Sequence, residues 1–121
     1  MILADTPVWI DHLRKADATM NSVLARQQIL IHPYVIGELA MGSLKDRDEM
    51  LRGFHELPRI KLALDSEVLT FVTQNKLFSL GIGFIDAHLL LSVRLTPGTL
   101  LWTRDRRLRE AAEDLDLSFV N

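Results

Sequence analysis

Residues 1–10 read MILADTPVWI, an apolar run that ends in a carboxylate, a hydroxyl and a proline before apolar residues resume. The run from Met1 to Ala4 predicts a short buried strand. Pro7 suits the first turn of a helix, and Asp5 or Thr6 before it can cap that helix. A strand that leads directly into a helix is the repeating unit of an α/β fold.

The same alternation continues along the rest of the chain. Further strands are predicted at 29–31, 60–64, 99–103 and 117–120 from short apolar runs. Apolar residues at helical spacing predict helices between them, at 7–15, 20–27, 33–42, 46–57, 65–80, 84–95 and 104–115. No repeat or linker interrupts the pattern. We therefore expect one domain over residues 1–121, with a parallel sheet flanked by helices in three α/β/α layers.

Composition excludes several classes of protein. The chain has 121 residues, of which 48% are hydrophobic and 25% charged, so a multidomain enzyme is excluded. It has no cysteine, which excludes a disulfide scaffold, a thiolate zinc site and a cysteine nucleophile. The reducing cytoplasm is the expected location.

The sequence also predicts no export signal and no membrane span. The first residues carry no basic segment and meet a carboxylate at Asp5, unlike a signal peptide. The most apolar stretch, 81–95, is broken by Asp86 and Arg94 and is shorter than the ~20 residues that span a bilayer.

Four acids occupy positions that suggest a ligand site. Asp5 ends the first strand and Asp105 follows the strand at 99–103, where the sites of parallel sheets lie. Asp86 and Glu38 each lie in a strongly apolar helix, where an ionised carboxylate needs a partner. Helix capping explains Asp5 or Asp105 taken alone, and an arginine partner or an exposed helix edge explains Glu38 or Asp86. Together, the four favour an oxygen-ligand site for Mg²⁺ or Mn²⁺.

The segments that carry these acids resemble the successive motifs of PIN-domain ribonucleases. Their order and spacing are similar in particular to those of the VapC toxins of toxin–antitoxin modules, and the similarity covers essentially the whole chain. The motifs are Asp5-Thr6 with Trp9-Ile10, Pro33 through Glu38-Leu39 to Gly42, Gly81 to Asp86-Ala87-His88, and Thr103-Arg104-Asp105.

The resemblance implies a fold, an activity and partners. Asp5, Glu38, Asp86 and Asp105 would surround one or two Mg²⁺ or Mn²⁺ ions, with Thr6 and Thr103 as hydroxyl partners of water or ligand. The protein would be a metal-dependent endoribonuclease toxin that inhibits translation. It would form a homodimer, and a small VapB-like antitoxin would wrap it and obstruct the site.

Contacts with RNA are harder to predict from the sequence. The net charge of −2 does not favour a polyanion partner. A cationic cluster nevertheless follows the strand at 99–103, and either Arg104 or Arg107 could bind RNA phosphate; the alternative is a solvated helix face. Trp9 and Trp102 fit core packing, and His88 fits packing at a helix flank better than a direct role.

Two rival functions stay open at this level. One is a catalytically silent PIN-like binding module whose acids only position a metal or a partner's arginine. The other is an acid-site phosphohydrolase of another α/β fold. A haloacid-dehalogenase-like enzyme would need an aspartate where this chain has Pro7, and a receiver domain would need paired acids where Ala4 precedes Asp5.

Overall fold

Three parallel strands form the sheet within residues 1–120, the part of the chain that the computed structural model describes. They are β1 (Ile2–Ala4), β2 (Ile29–Leu30) and β3 (Leu100–Trp102), in the order β2-β1-β3. Ile2 pairs with Ile29 on one side and with Leu100 on the other. Because β1 lies in the middle, all three of its side chains are buried, as its uninterrupted apolar sequence predicts.

Seven helices complete a three-layer α/β/α architecture in the described residues. They are α1 (Thr6–Arg14), α2 (Ala18–Ala25), α3 (Pro33–Ala40), α4 (Arg47–Glu56), α5 (Asp65–Gln74), α6 (Phe84–Leu95) and α7 (Arg106–Asp114). The predicted fold class and the order of the main elements are therefore confirmed. The α6 helix is buried continuously from Ala87 to Val93, which explains its mostly apolar sequence.

The predicted junction at Pro7 is also confirmed. The side chain of Asp5 caps α1 and accepts a hydrogen bond from the Thr6 amide at 2.8 Å. Pro7 occupies the first turn, where its missing amide proton removes no helical hydrogen bond. The sequence at this junction thus sets both the end of β1 and the start of α1.

Two predicted strands are wrong. Residues 60–64 form no strand: the chain makes a single bridge just before them, from Arg59 to Ile31, and then leaves the sheet. Ile60 is buried there, but Leu62 is exposed, so the segment has no buried face to continue along the sheet edge. At 117–120 the pairing is likewise one bridge, between Ser118 and Leu101.

The predicted helix at 65–80 is too long, because α5 ends at Gln74. Lys76 and Ser79 adopt positive φ angles of 53° and 61°, which an α-helix does not accommodate. Leu77 is buried although it lies outside the helix, so the apolar spacing that extended the prediction belongs to a turn packed on the core.

The central strand supplies a test of the core. Leu3 is fully buried, so Leu3→Ala should lower the free energy of unfolding by about 2–5 kcal/mol through lost burial and a residual cavity. Met41→Ala, at a side chain that is 88% exposed, should change it by less than about 0.5 kcal/mol. Urea denaturation measures both values, and equal effects would contradict the assignment of β1 to the centre of the core.

Candidate active site

Four carboxylates lie at the carboxyl edge of the sheet or on the helices beside it. Asp5 directly follows β1, and Asp105 lies three residues beyond the end of β3. Because β1 and β3 are parallel neighbours, these two positions share one edge. Glu38 lies in α3, which follows β2, and Asp86 is the third residue of α6.

The negative charges of these side chains act on one another. Burial raises the pKa of Asp5, and the charges of Asp86 and Glu38 raise it further. Burial also raises the pKa of Asp86, and there the charges of Asp105 and Glu38 add to the effect. The structure therefore brings all four predicted acids into one electrostatic cluster, which we call the acidic quartet.

Thr103 and Thr6 hold the quartet from two sides. The Thr103 hydroxyl donates to Asp5 Oδ2 at 3.0 Å and accepts from the Asp105 amide at 3.1 Å. The Thr6 hydroxyl donates to Glu38 Oε1 at 2.6 Å, while its amide donates to Asp5. Both hydroxyls thus contact carboxylates of the quartet, and their role as partners of water or ligand stays a prediction.

Three members of the quartet also cap helices. Besides Asp5, Asp105 accepts from the Leu108 amide at 3.0 Å, and Asp86 accepts from the Gly83 amide at 3.0 Å. The capping role weighed for Asp5 and Asp105 is thus correct, but it does not exclude a ligand role. A carboxylate has about four lone-pair positions, so one capping bond leaves oxygen positions available.

An arginine partner does not account for the quartet. Within residues 1–120, the ion pairs involve neither Glu38 nor Asp86, nor the other two acids. The mutual repulsion is thus offset only by neutral hydrogen-bond donors, which are weaker partners for a carboxylate than a cation.

The donor set fits a hard divalent cation. All four side chains offer oxygen, the ligand type that Mg²⁺ and Mn²⁺ prefer. In the described part of the chain, no three acidic or histidine side chains converge closely enough to hold an ion as they stand. Each carboxylate instead accepts a hydrogen bond from a nearby amide or hydroxyl. These donors partly offset the repulsion between the like charges.

The arginines after β3 differ from one another. Arg104 donates to Asp11, donates to Asp17 at 3.0 Å and stacks over Trp102 at 5.8 Å. The pKa of Asp17 is lowered mainly by its hydrogen bond from the Met20 amide and further by Arg104. Arg104 therefore links the end of β3 to α1 through Asp11 and to the N-terminus of α2 through Asp17, and both of its terminal nitrogens are occupied.

A buried histidine cluster next to α3 is absent from the sequence prediction. His32 caps α3 by accepting from the Tyr34 amide at 3.0 Å, and burial lowers its pKa to about 4, with His88 and Arg59 contributing. His88 contacts Asp65 at 2.8 Å, which confirms packing at a helix flank as its setting. The sequence carries one signal for it: His32 stands just before Pro33, at the N-cap position of α3.

No family model matches the chain, but curated relatives do. It is 46% identical over 114 residues to Ribonuclease VapC32 of Mycobacterium tuberculosis (strain CDC 1551 / Oshkosh) and equally to the protein of that name from strain ATCC 25618 / H37Rv. The match covers 94% of this chain and 92% of each relative.

The chain belongs to the VapC family of PIN-domain ribonucleases. This membership removes the phosphohydrolases of other α/β folds from consideration. As for the membrane, none of the helices that this VapC-family chain forms within residues 1–120 has the length and apolarity to cross a bilayer.

The raised pKa of Asp86 predicts how metal-free protein responds to Asp86→Asn. The folded-state pKa lies above the unfolded value of about 3.9, so ionised Asp86 destabilises the fold, and this penalty fades as pH falls through the folded-state pKa. Asp86→Asn should therefore raise the melting temperature of chelator-treated protein at pH 7.5 and raise it less at pH 5.

Calorimetry on the unmodified protein and on Asp86→Asn at both pH values checks this. The quantity to compare is the difference in melting temperature between the two proteins at each pH. His32 has a lowered pKa, so its stabilising contribution is lost as pH falls from about 6.5 through about 4, and it is common to both proteins. Glu113→Gln, on the exposed face of α7, controls for net charge. Destabilisation by Asp86→Asn at both pH values would show that Asp86 is a structural acid.

Proposed function

We propose that the acidic quartet holds one or two Mg²⁺ or Mn²⁺ ions and that the chain is a metal-dependent endoribonuclease, the toxin of a toxin–antitoxin pair that inhibits translation. The observation that carries the proposal is the cluster itself: four carboxylates at the carboxyl edge of the sheet, whose negative charges raise the pKa of Asp5 and of Asp86, with no ion-pair partner among residues 1–120. The VapC relatives support ribonuclease activity.

The side chains around the quartet have separable tasks. When bound, the cation supplies an activated water and positive charge for the phosphodiester under attack. Thr6 orients Glu38 through its hydroxyl, and Thr103 links Asp5 to the Asp105 backbone. Asp5 is buried and accepts a hydrogen bond on each oxygen, whereas Glu38 is exposed on α3.

Removing one ligand should nearly abolish cleavage while the fold persists. Neutral amides keep the capping and hydroxyl contacts but bind a hard cation poorly. The variants are Asp5→Asn, Glu38→Gln, Asp86→Asn and Asp105→Asn, with Glu113→Gln as the control. Thr6→Val and Thr103→Val, which remove only partners of the ligands, should lose about 10- to 100-fold.

The measurement is cleavage of labelled RNA, with chelator and then with added Mg²⁺ or Mn²⁺, after circular dichroism has verified folding. Wild-type turnover in any two of the quartet variants would overturn the site assignment. Absence of metal-dependent cleavage by the unmodified chain would favour the rival interpretation, a silent PIN-like binding module, for which the helix-capping roles of the acids are the supporting observation.

We also propose the partners that the family resemblance implies: a second copy of this chain and a VapB-like antitoxin, all in the cytoplasm. Six exposed apolar side chains lie between residues 64 and 85, from the N-cap of α5 to the first turn of α6, which supports a homodimer surface there; they are Leu64, Leu69, Phe78, Leu80, Phe84 and Ile85. A groove of about 510 Å³, lined by Ile10, Leu13, Leu39 and Glu38 among others, supports an antitoxin that covers one member of the quartet.

The dimer proposal predicts the effect of charge in the α5–α6 region. Leu69→Glu and Phe78→Glu should each shift the chain from dimer to monomer, because an ionised carboxylate cannot be buried unpaired in an apolar interface. Met41→Glu, which changes an exposed apolar residue at the end of α3, should leave the dimer intact. Sedimentation velocity measures the assembly, and a monomeric unmodified chain would disprove the proposal.

A further inference from the structure

Arg107 occupies the space that a side chain at position 81 would fill. A Cβ placed on Gly81 would lie 2.3 Å from Arg107 Nη1 and 2.8 Å from its Cδ. Gly81 also has a φ of +81°, which other L-residues rarely adopt. The guanidinium of Arg107 is therefore seated directly against the backbone of the turn before α6.

This seat lies between two members of the quartet. Gly81 stands two residues before Gly83, whose amide donates a hydrogen bond to Asp86. Arg107 lies in the first turn of α7, two residues after its capping residue, Asp105. Asp86 and Asp105 act on each other electrostatically, so the seated arginine spans the segments that carry them.

The charge of Arg107 is not used within the described part of the chain. Among residues 1–120, Arg104 pairs with two aspartates and Arg106 lies 3.7 Å from Glu110, whereas Arg107 pairs with no carboxylate. Its side chain is exposed and rests against the backbone at Gly81, and its guanidinium forms no ion pair within residues 1–120. A planar guanidinium with free N–H groups is a good donor to phosphate oxygens.

We propose that Arg107 binds a phosphate of the RNA next to the scissile bond and that Gly81 is the positioning residue for Arg107. Arg104, in contrast, serves only to link β3 to α1 and α2. The proposal rests on the ribonuclease function proposed above and separates two arginines that the sequence could not. An arginine at this place also offsets the repulsion that a cluster of carboxylates exerts on a polyanion.

RNA binding tests the role of Arg107 directly. Fluorescence anisotropy with a single-stranded RNA of mixed sequence and Mg²⁺, in a Glu38→Gln background to prevent cleavage, gives affinity over a range of salt concentrations. Arg107→Ala should weaken binding about tenfold and reduce the log–log salt slope by about 0.7, the value for one contact with single-stranded nucleic acid. Arg106→Ala removes the same charge one residue away and should change neither.

Gly81→Ala tests the positioning, with Gly98→Ala as its matched control. Both glycines have positive φ, 81° and 75°, so both substitutions strain a turn, but nothing lies within 4 Å of a Cβ at Gly98. Gly81→Ala should weaken RNA binding nearly as much as Arg107→Ala, and Gly98→Ala should not. In the Arg107→Ala background, Gly81→Ala should add little, because the side chain it displaces is already gone.

Each outcome separates this inference from the function on which it rests. If the unmodified chain cleaves RNA but Arg107→Ala binds RNA like Arg106→Ala, the inference is wrong and the proposed function stands. If Gly81→Ala weakens binding equally with and without Arg107, Gly81 is not a positioning residue. If the unmodified chain neither binds nor cleaves RNA with Mg²⁺ or Mn²⁺, the proposed function and the inference both fail.

Discussion

The hydrogen bond from the Thr103 hydroxyl to Asp5 joins the ends of two strands at the point where like charges meet. Asp5 is buried, and its neighbours Glu38 and Asp86 oppose its ionisation. Two donors, the Thr6 amide and the Thr103 hydroxyl, lower the pKa of Asp5. They thereby reduce the destabilisation of the fold that ionised Asp5 causes. A fold that had to accommodate the quartet without these donors would be destabilised wherever the acids are ionised.

Local sequence signals predicted the elements that local interactions determine. The junction at Asp5 and Pro7 and the α6 helix follow from a cap, a proline and an apolar run. The errors arose where the apolar residues pack without regular structure. Ile60 lies in a loop and Leu77 in a turn, yet both side chains are buried. The spacing of apolar residues alone does not distinguish such a loop from a strand, or such a turn from a helix.

The site was predictable in its acids but not in its arginines. Each acid stands at a strand end or in an apolar helix, and the sequence shows both kinds of position. Arg104 and Arg107, however, differ through contacts distant in sequence: Arg104 reaches Asp11 across 93 positions, and Arg107 rests on Gly81. The periodicity of apolar residues in the sequence does not predict such contacts, because they depend on how the helices pack around the sheet.

The parallel pairing of β1 with β3 has a consequence for protein synthesis. Asp5 and Thr103 are 98 positions apart, and the central strand lacks one neighbour until β3 has emerged from the ribosome. At translation rates of about 5–20 residues per second, that delay is on the order of 5–20 s. During this interval the nascent chain carries Asp5, Glu38 and then Asp86 without Asp105. The ribosome that makes this nuclease is therefore not exposed to a completed site on its own nascent chain until β3 and Asp105 have emerged.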